Sequence, residues 1–343
     1  MIESLLIFFW SMLISMFSIP TIISVAHSKR ILDQPDYRKA HQSDTPQLGG
    51  LAIFAGFMTG VAIFGQMSLG IQQLLAGSLI IFFVGVKDDI NGVSVFKKFF
   101  VQVLAAGIVL FYADIRITSF QGLFGIYDLE IGLSYAFTFL VILCITNAIN
   151  LIDGVNGLAG TIVIIISLTF GTYFYLNAED SFAFVSFSLA GAMLGFLRYN
   201  MFKAKVFMGD TGALVSGFII SILAIHFIEL KTISSAPSLS LAILFVPIFD
   251  TLRVFAIRVY NGVSPFMPDR KHIHHYLSDL GLSHFLVVIV LSMINILVIA
   301  FAITYANLGN TTLLLIVSGF ALLISFLLEL LKIRLGGGSL ADK

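Results

Sequence analysis

A single cysteine, Cys144, leaves this 343-residue chain no internal disulfide and argues against a structural zinc site built on thiolates. Charge is scarce as well. Only 11% of the residues are Asp, Glu, Lys or Arg, against about 25% in an average soluble protein. Nineteen basic and nineteen acidic side chains cannot clothe a water-facing globule of this size, so a soluble enzyme is excluded. Neither sign is in excess, which argues against a nucleic-acid binder. The chain also lacks any stretch that reads as a soluble domain, a long disordered linker or an internal repeat.

What it has in abundance is apolar surface. Hydrophobic residues make up 58% of the chain, 34 of them phenylalanine, and the mean hydropathy is +1.02. Runs of about 17–25 apolar residues are long enough to cross the hydrocarbon of a bilayer. Eleven are predicted, at about 4–26, 49–67, 71–87, 95–113, 134–152, 158–176, 181–198, 211–230, 238–258, 285–305 and 311–331. The expected fold is an all-α polytopic membrane protein with one integral-membrane domain over 1–335 and a flexible tail at 336–343. The first run has no basic segment before it and is too long for a cleaved signal. Alternating residues around a glycine-bearing turn predict a small external β-hairpin at about 115–132.

Seventeen of the nineteen basic residues fall in loops on one side of these spans, and only Arg116 and Lys231 on the other. The excess of Lys and Arg in cytoplasmic loops then predicts an external N-terminus and a cytoplasmic C-terminus. Twelve of the nineteen acids share the basic side, several in glycine-bearing signatures: Val-Gly-Val-Lys-Asp-Asp at 84–89, Asn-Ala-Ile-Asn-Leu-Ile-Asp-Gly-Val-Asn-Gly-Leu at 147–158, and Val-Phe-Met-Gly-Asp-Thr-Gly at 206–212. Asp250 completes the set in Val-Pro-Ile-Phe-Asp.

A carboxylate at a membrane boundary needs a partner or a cation. An isolated one is satisfied by a nearby Lys or Arg, but the adjacent Asp88 and Asp89 repel each other unless a cation intervenes. Three acidic clusters on one side suggest Mg2+, a hard ion that works beside phosphates. Gly209-Asp210-Thr211-Gly212 opens a span; its free N–H groups suit a phosphate and its aspartate an ion, whereas alone it would read as a helix cap. His272, His274 and His275 beside Arg270 and Lys271 form a dense set of donors for an anionic ligand. Zinc is disfavoured there by the neighbouring cations. Arg38, Lys39 and His41 add basic groups in the first inner loop. His226 and Glu329 receive no role.

On these residues the sequence resembles the polyprenyl-phosphate N-acetylhexosamine-1-phosphate transferases, from Asp33 to about His284. The strongest pieces are Arg-Lys-Ala-His at 38–41, Asp88-Asp89, Asn-Ala-Ile-Asn-Leu-Ile-Asp-Gly at 147–154, Val-Phe-Met-Gly-Asp at 206–210 and Ser-Pro-Phe-Met-Pro-Asp-Arg-Lys-His-Ile-His-His at 264–275. The last resembles the bacterial undecaprenyl-phosphate GlcNAc-1-phosphate transferase branch and disfavours the peptidoglycan phospho-MurNAc-pentapeptide translocase. A secondary transporter, the alternative of another class, would carry its ionisable groups near the midplane, whereas here they gather at helix ends.

The resemblance implies transfer of N-acetylhexosamine-1-phosphate, with GlcNAc the expected sugar, from a UDP-sugar to undecaprenyl phosphate at the cytoplasmic face of the bacterial inner membrane. It implies Mg2+, or Mn2+ in its place. Asp210 is the expected metal ligand, assisted by Asn147, Asp88 and Asp89, and the aspartate pair is expected to position the lipid phosphate. Asn147, Asn150 and Asp153 would line the nucleotide-diphosphate cleft, with Lys98, Lys39 and His41 as basic contacts. Arg270, His272, His274 and His275 would meet the diphosphate or the sugar. One departure stands out. The usual second aspartate of Asp-Gly-x-Asp-Gly is Asn156 here, an amide that can both accept from and donate to a uracil edge. The implied partners are the UDP-sugar, the lipid phosphate and the bilayer, without nucleic acid; a homodimer is left open.

Overall fold

The computed structural model describes residues 2–32, 45–264 and 271–336. It is a bundle of long apolar helices: α1 (Ile2–Lys29), α2 (Gly49–Phe64), α3 (Leu69–Asn91), α4 (Val95–Ala113), then a two-stranded antiparallel hairpin of β1 (Ser119–Leu123) and β2 (Ile126–Asp128). There follow α5 (Ile131–Leu151), α6 (Leu158–Leu176), α7 (Asp180–Asn200), α8 (Gly209–Glu229), α9 (Ala236–Ile243), α10 (Phe245–Tyr260), the short α11 (Ile273–Asp279), α12 (His284–Thr304) and α13 (Asn310–Gly336). Among the described residues nine helices are long and apolar enough to cross a bilayer, and α9 with α10 forms a tenth candidate. The second expected span, α2, is apolar but only 16 residues long.

The ninth expected span differs from a straight helix. It breaks at Leu244, and α9 and α10 meet at 84°. A broken helix within a membrane leaves polar backbone groups that must be satisfied inside the protein. Asn295 of α12, fully buried, does this: its Oδ1 accepts from Val246 N at 3.0 Å and its Nδ2 donates to Ile243 O at 3.2 Å. Pro247, which has no N–H to lose, sits just beyond the break.

α8 is the axis of the bundle, buried along almost its whole length with no charge between Asp210 and Glu229. Small residues let neighbours approach it closely. A side chain at Gly50 of α2 would strike the Gly212 backbone, and one at Gly85 of α3 would come within 2.5 Å of Thr211 Cα.

Successive spans run up and down, so the ends of α1, α3, α5, α7, α10 and α13 gather with the starts of α2, α4, α6, α8 and α12 at one end of the bundle. The hairpin lies at the opposite end, held by Glu229, whose two carboxylate oxygens accept from Thr118 N and Thr118 Oγ1 at 2.7 Å each. Arg116 and Lys231 at that end are both paired: Arg116 with Asp114 at 2.7 Å, and Lys231 with Thr118 Oγ1 at 2.9 Å.

Candidate active site at the polar end of the bundle

The approach to α8 is built first from backbone. Phe207 N donates to Pro46 O at 2.8 Å, while Gly49 N and Gly50 N donate to Phe207 O and Met208 O at 2.9 Å each. Two chain segments are thereby laced together just before their helices begin. Gly209 then turns the chain at φ +69°, a conformation glycine adopts without steric cost. A side chain there would also collide with the Asp89 carboxylate.

Asp89 caps α8 from the end of α3. Its Oδ1 accepts from Asp210 N at 2.7 Å, and its Oδ2 accepts from Thr211 N at 3.1 Å and Thr211 Oγ1 at 2.5 Å. These free donors at a helix start are satisfied by a negative charge that also complements the helix dipole. Asp88, one residue earlier, faces elsewhere. Its Oδ1 accepts from Val93 N at 2.5 Å, and its Oδ2 pairs with the Lys98 ammonium. Lys98, in the first turn of α4, also donates to Asp210 Oδ2 at 2.9 Å, so one cation bridges two carboxylates. The other oxygen of Asp210 accepts from Asn150 Nδ2 at 2.5 Å.

The structure thus brings together Asp88, Asp89, Lys98, Asn150 and Asp210, from four helices. Asn147 lies one turn from Asn150 along α5 and donates to Gln102 Oε1 at 2.9 Å. Gln102, buried on α4 one turn beyond Lys98, had no role assigned from sequence. A lone amide four residues from a lysine inside an apolar span was the signal for it.

The turn between α5 and α6 carries Asp153 and Asn156. Burial, with Asp210 and Asp89 nearby, pushes the Asp153 carboxyl well above the usual carboxylate range. The turn is anchored by Asn200 of α7, which accepts from Gly157 N at 2.7 Å and donates to Val206 O at 2.9 Å. Asn200 gave no sequence signal, because its partners are both backbone.

His274 reaches the same turn from α11. A side chain at Gly154 would overlap its Nε2. Burial holds the His274 imidazole down at about 3, so it is neutral. Its ring lies 5.6 Å from that of His272 and 4.3 Å from that of His275. All three expected histidines therefore cluster beside the 153–157 turn. Lys39, His41 and Arg270 lie outside the described residues.

The acidic cluster meets a metal on particular terms. No group of three or more His, Cys, Asp or Glu side chains among the described residues is arranged to hold an ion. Asp89 spends its oxygens on α8, and Asn147 is paired with Gln102. Asp210 and Asp88 each retain lone pairs beyond the donors they accept from, and they face one another across Lys98. Mg2+ usually takes only one or two carboxylates, completing its shell with water and substrate phosphates. The Asp88–Asp210 pair fits that requirement.

A polytopic helical bundle with a lysine-bridged acidic cluster and a histidine cluster at its polar end is a multi-pass membrane protein that gathers its polar groups at one end. The glycosyl transferase family 4 model matches residues 71–228, which include the aspartate pair, Lys98, the 147–158 motif and Asp210. A Bacillus subtilis (strain 168) protein, named as a probable undecaprenyl-phosphate N-acetylglucosaminyl 1-phosphate transferase, is 35% identical over 297 residues, 86% of this chain and 83% of its own. The Salmonella typhi undecaprenyl-phosphate alpha-N-acetylglucosaminyl 1-phosphate transferase is 32% identical over 79% of this chain and 77% of its own. Its Escherichia coli (strain K12) namesake is 28% identical over 78% and 76%. The chain belongs to glycosyl transferase family 4.

Proposed function

We propose that this protein transfers N-acetylglucosamine-1-phosphate from UDP-N-acetylglucosamine to undecaprenyl phosphate, with Mg2+, at the cytoplasmic face of a bacterial inner membrane, as one membrane domain over 1–335. The observation that carries the reading is the Asp88–Lys98–Asp210–Asn150 constellation at the basic end of the bundle, in a chain whose relatives are named for that transfer. The seventeen basic residues on that side support a cytoplasmic site.

In the reaction, an oxygen of the lipid phosphate attacks the β-phosphorus of the sugar nucleotide. The bond from that phosphorus to the bridging oxygen breaks, and UMP leaves with the electron pair. A phosphomonoester loses its second proton near pH 6, so the nucleophile is already ionised at neutral pH and needs placement more than a base. Lys98 and the histidine cluster supply positive and hydrogen-bonding groups that offset repulsion between the two substrates. Asn150 holds the Asp210 carboxylate in one orientation. Asp153 and Asn156, on a turn fixed by Asn200, offer the nucleotide both donors and acceptors. Mg2+, held by Asp210 and Asp88, would neutralise charge building on the diphosphate.

The test is purified protein with undecaprenyl phosphate, Mg2+ and a panel of UDP-sugars, measuring UMP release and the lipid-linked diphosphosugar. Turnover with UDP-N-acetylglucosamine is expected. No turnover with any UDP-N-acetylhexosamine would refute the reading.

A further inference from the structure

Among the groups the transfer reading leaves without a role, Asp250 and Arg253 are both buried charges, at 2% and 6% exposure. They stand three residues apart on α10, and so on one face of the helix. Both point into the 271–276 segment. Asp250 Oδ1 accepts from Ile273 N at 2.9 Å, and Oδ2 accepts from His272 Nδ1 at 2.9 Å. The same Oδ2 lies 4.0 Å from His274 Nδ1, a buried atom with no hydrogen-bond partner among the described residues. Arg253 donates to Lys271 O at 2.9 Å, pairs with Glu329 of α13 at 3.2 Å and lies over the Tyr276 ring at 4.8 Å.

These contacts have a chemical consequence. A carboxylate can only accept, so the ring nitrogen facing it must carry the proton. His272 is thereby fixed with Nδ1 protonated, and its Nε2 has no partner among the described residues. The neighbouring His274 is pressed over Gly154, which carries the 153–157 turn with it. One α10 carboxylate therefore sets the tautomer of one histidine and the seat of another.

We propose that Asp250 is a positioning residue for the transfer: acting through His272, it presents Nε2 as a hydrogen-bond acceptor to a hydroxyl or amide N–H of the substrate's sugar, while Arg253 clamps the segment that carries both histidines. The proposal rests on the transfer reading for its substrate but not for its geometry.

The experiment has two arms. In the first, protein labelled with 15N-histidine in nanodiscs is examined by NMR, with His272→Gln used to assign the signal. The wild type is expected to show His272 protonated on Nδ1, whether or not any transfer occurs; the Nε2–H tautomer would overturn the proposal. Asp250→Asn keeps an acceptor for Ile273 N but turns an amide donor toward His272, and should move the proton to Nε2. In the second arm, UMP release by Asp250→Asn should show kcat lowered by about 10- to 100-fold, the range seen when a histidine's orienting partner is removed. KM for the sugar nucleotide should stay within about threefold, and Asp250→Asn should cost nothing further in a His272→Gln background. Wild-type kcat in Asp250→Asn, or losses that multiply with His272→Gln, would overturn it. A wild type without turnover would instead remove the transfer reading, leaving the tautomer result to judge the clasp.

Discussion

Lys98 Nζ stands between the carboxylates of Asp88 and Asp210, 2.9 Å from Asp210 Oδ2. A single ammonium thus compensates two acids drawn from different helices. Replacing it by alanine leaves both without their cation, so Lys98→Ala should lower the transfer rate by about 100-fold, the order seen when one preorganised electrostatic contact is removed. The exposed acid pair should also attract divalent ions more strongly. The Mg2+ concentration giving half-maximal rate should therefore fall in Lys98→Ala, measured by titrating Mg2+ into the UMP-release assay. An unchanged Mg2+ midpoint would separate Lys98 from the ion.

The two adjacent aspartates should behave differently. Asp89 accepts three donors at the start of α8, so Asp89→Ala strands buried N–H groups at a cost of about 1–3 kcal/mol. Thermal unfolding in detergent should show a midpoint lowered by several degrees, and Thr211→Val should reproduce part of the loss. Asp210→Ala should leave the midpoint near that of the wild type while reducing turnover severely. A stable, inactive Asp89→Ala would instead give that carboxylate a direct part in the chemistry.

This difference between Asp88 and Asp89 shows where sequence reading stops. The spans were legible because apolar runs of bilayer length are a one-dimensional property, and the site because its acids sit beside glycines at the ends of those runs. Which acid faces which neighbour is not one-dimensional. Successive helix residues point about 100° apart, so identical side chains one position apart meet α4 and α8 respectively. The break in the ninth span was half written in Pro247, but it also needs Asn295, 49 residues from the Val246 N–H it accepts. Glu329 read as an unassigned polar residue near a helix end until α10 brought Arg253 against it.

The 153–157 turn gives a test of nucleotide binding. Gly157 N donates to Asn200 Oδ1 at 2.7 Å inside a buried setting, and Gly157 itself takes φ +84°. Asn200→Ala removes the anchor without touching the residues expected to meet uridine. KM for UDP-N-acetylglucosamine should rise about tenfold, matching about 1.4 kcal/mol of binding, with kcat within about twofold. Asn156→Ala should raise KM similarly, and the double variant should fall short of the product of the two effects, because both act through one turn. A changed kcat with constant KM would place the turn against the reacting phosphates instead.

The acid sensitivity of the fold should trace in part to His274. In the native protein its imidazole is held at about 3 by burial, against an ordinary value near 6.5. Above pH 6.5 the ring is neutral in both folded and unfolded chains, and it contributes no pH dependence. Between pH 6.5 and 3 the unfolded chain takes up a proton that the fold refuses, so stability falls as the pH drops, by about 1.4 kcal/mol per pH unit once well below 6.5. Thermal midpoints measured from pH 7.5 down to pH 5 should therefore decline in the wild type and decline less steeply in His274→Gln, which fills similar space without a titrating ring. Asn200→Ala, which loosens the same turn by another route, should keep the wild-type slope even though its midpoint is lower throughout. Parallel declines in wild type and His274→Gln would show that the proton is taken up elsewhere.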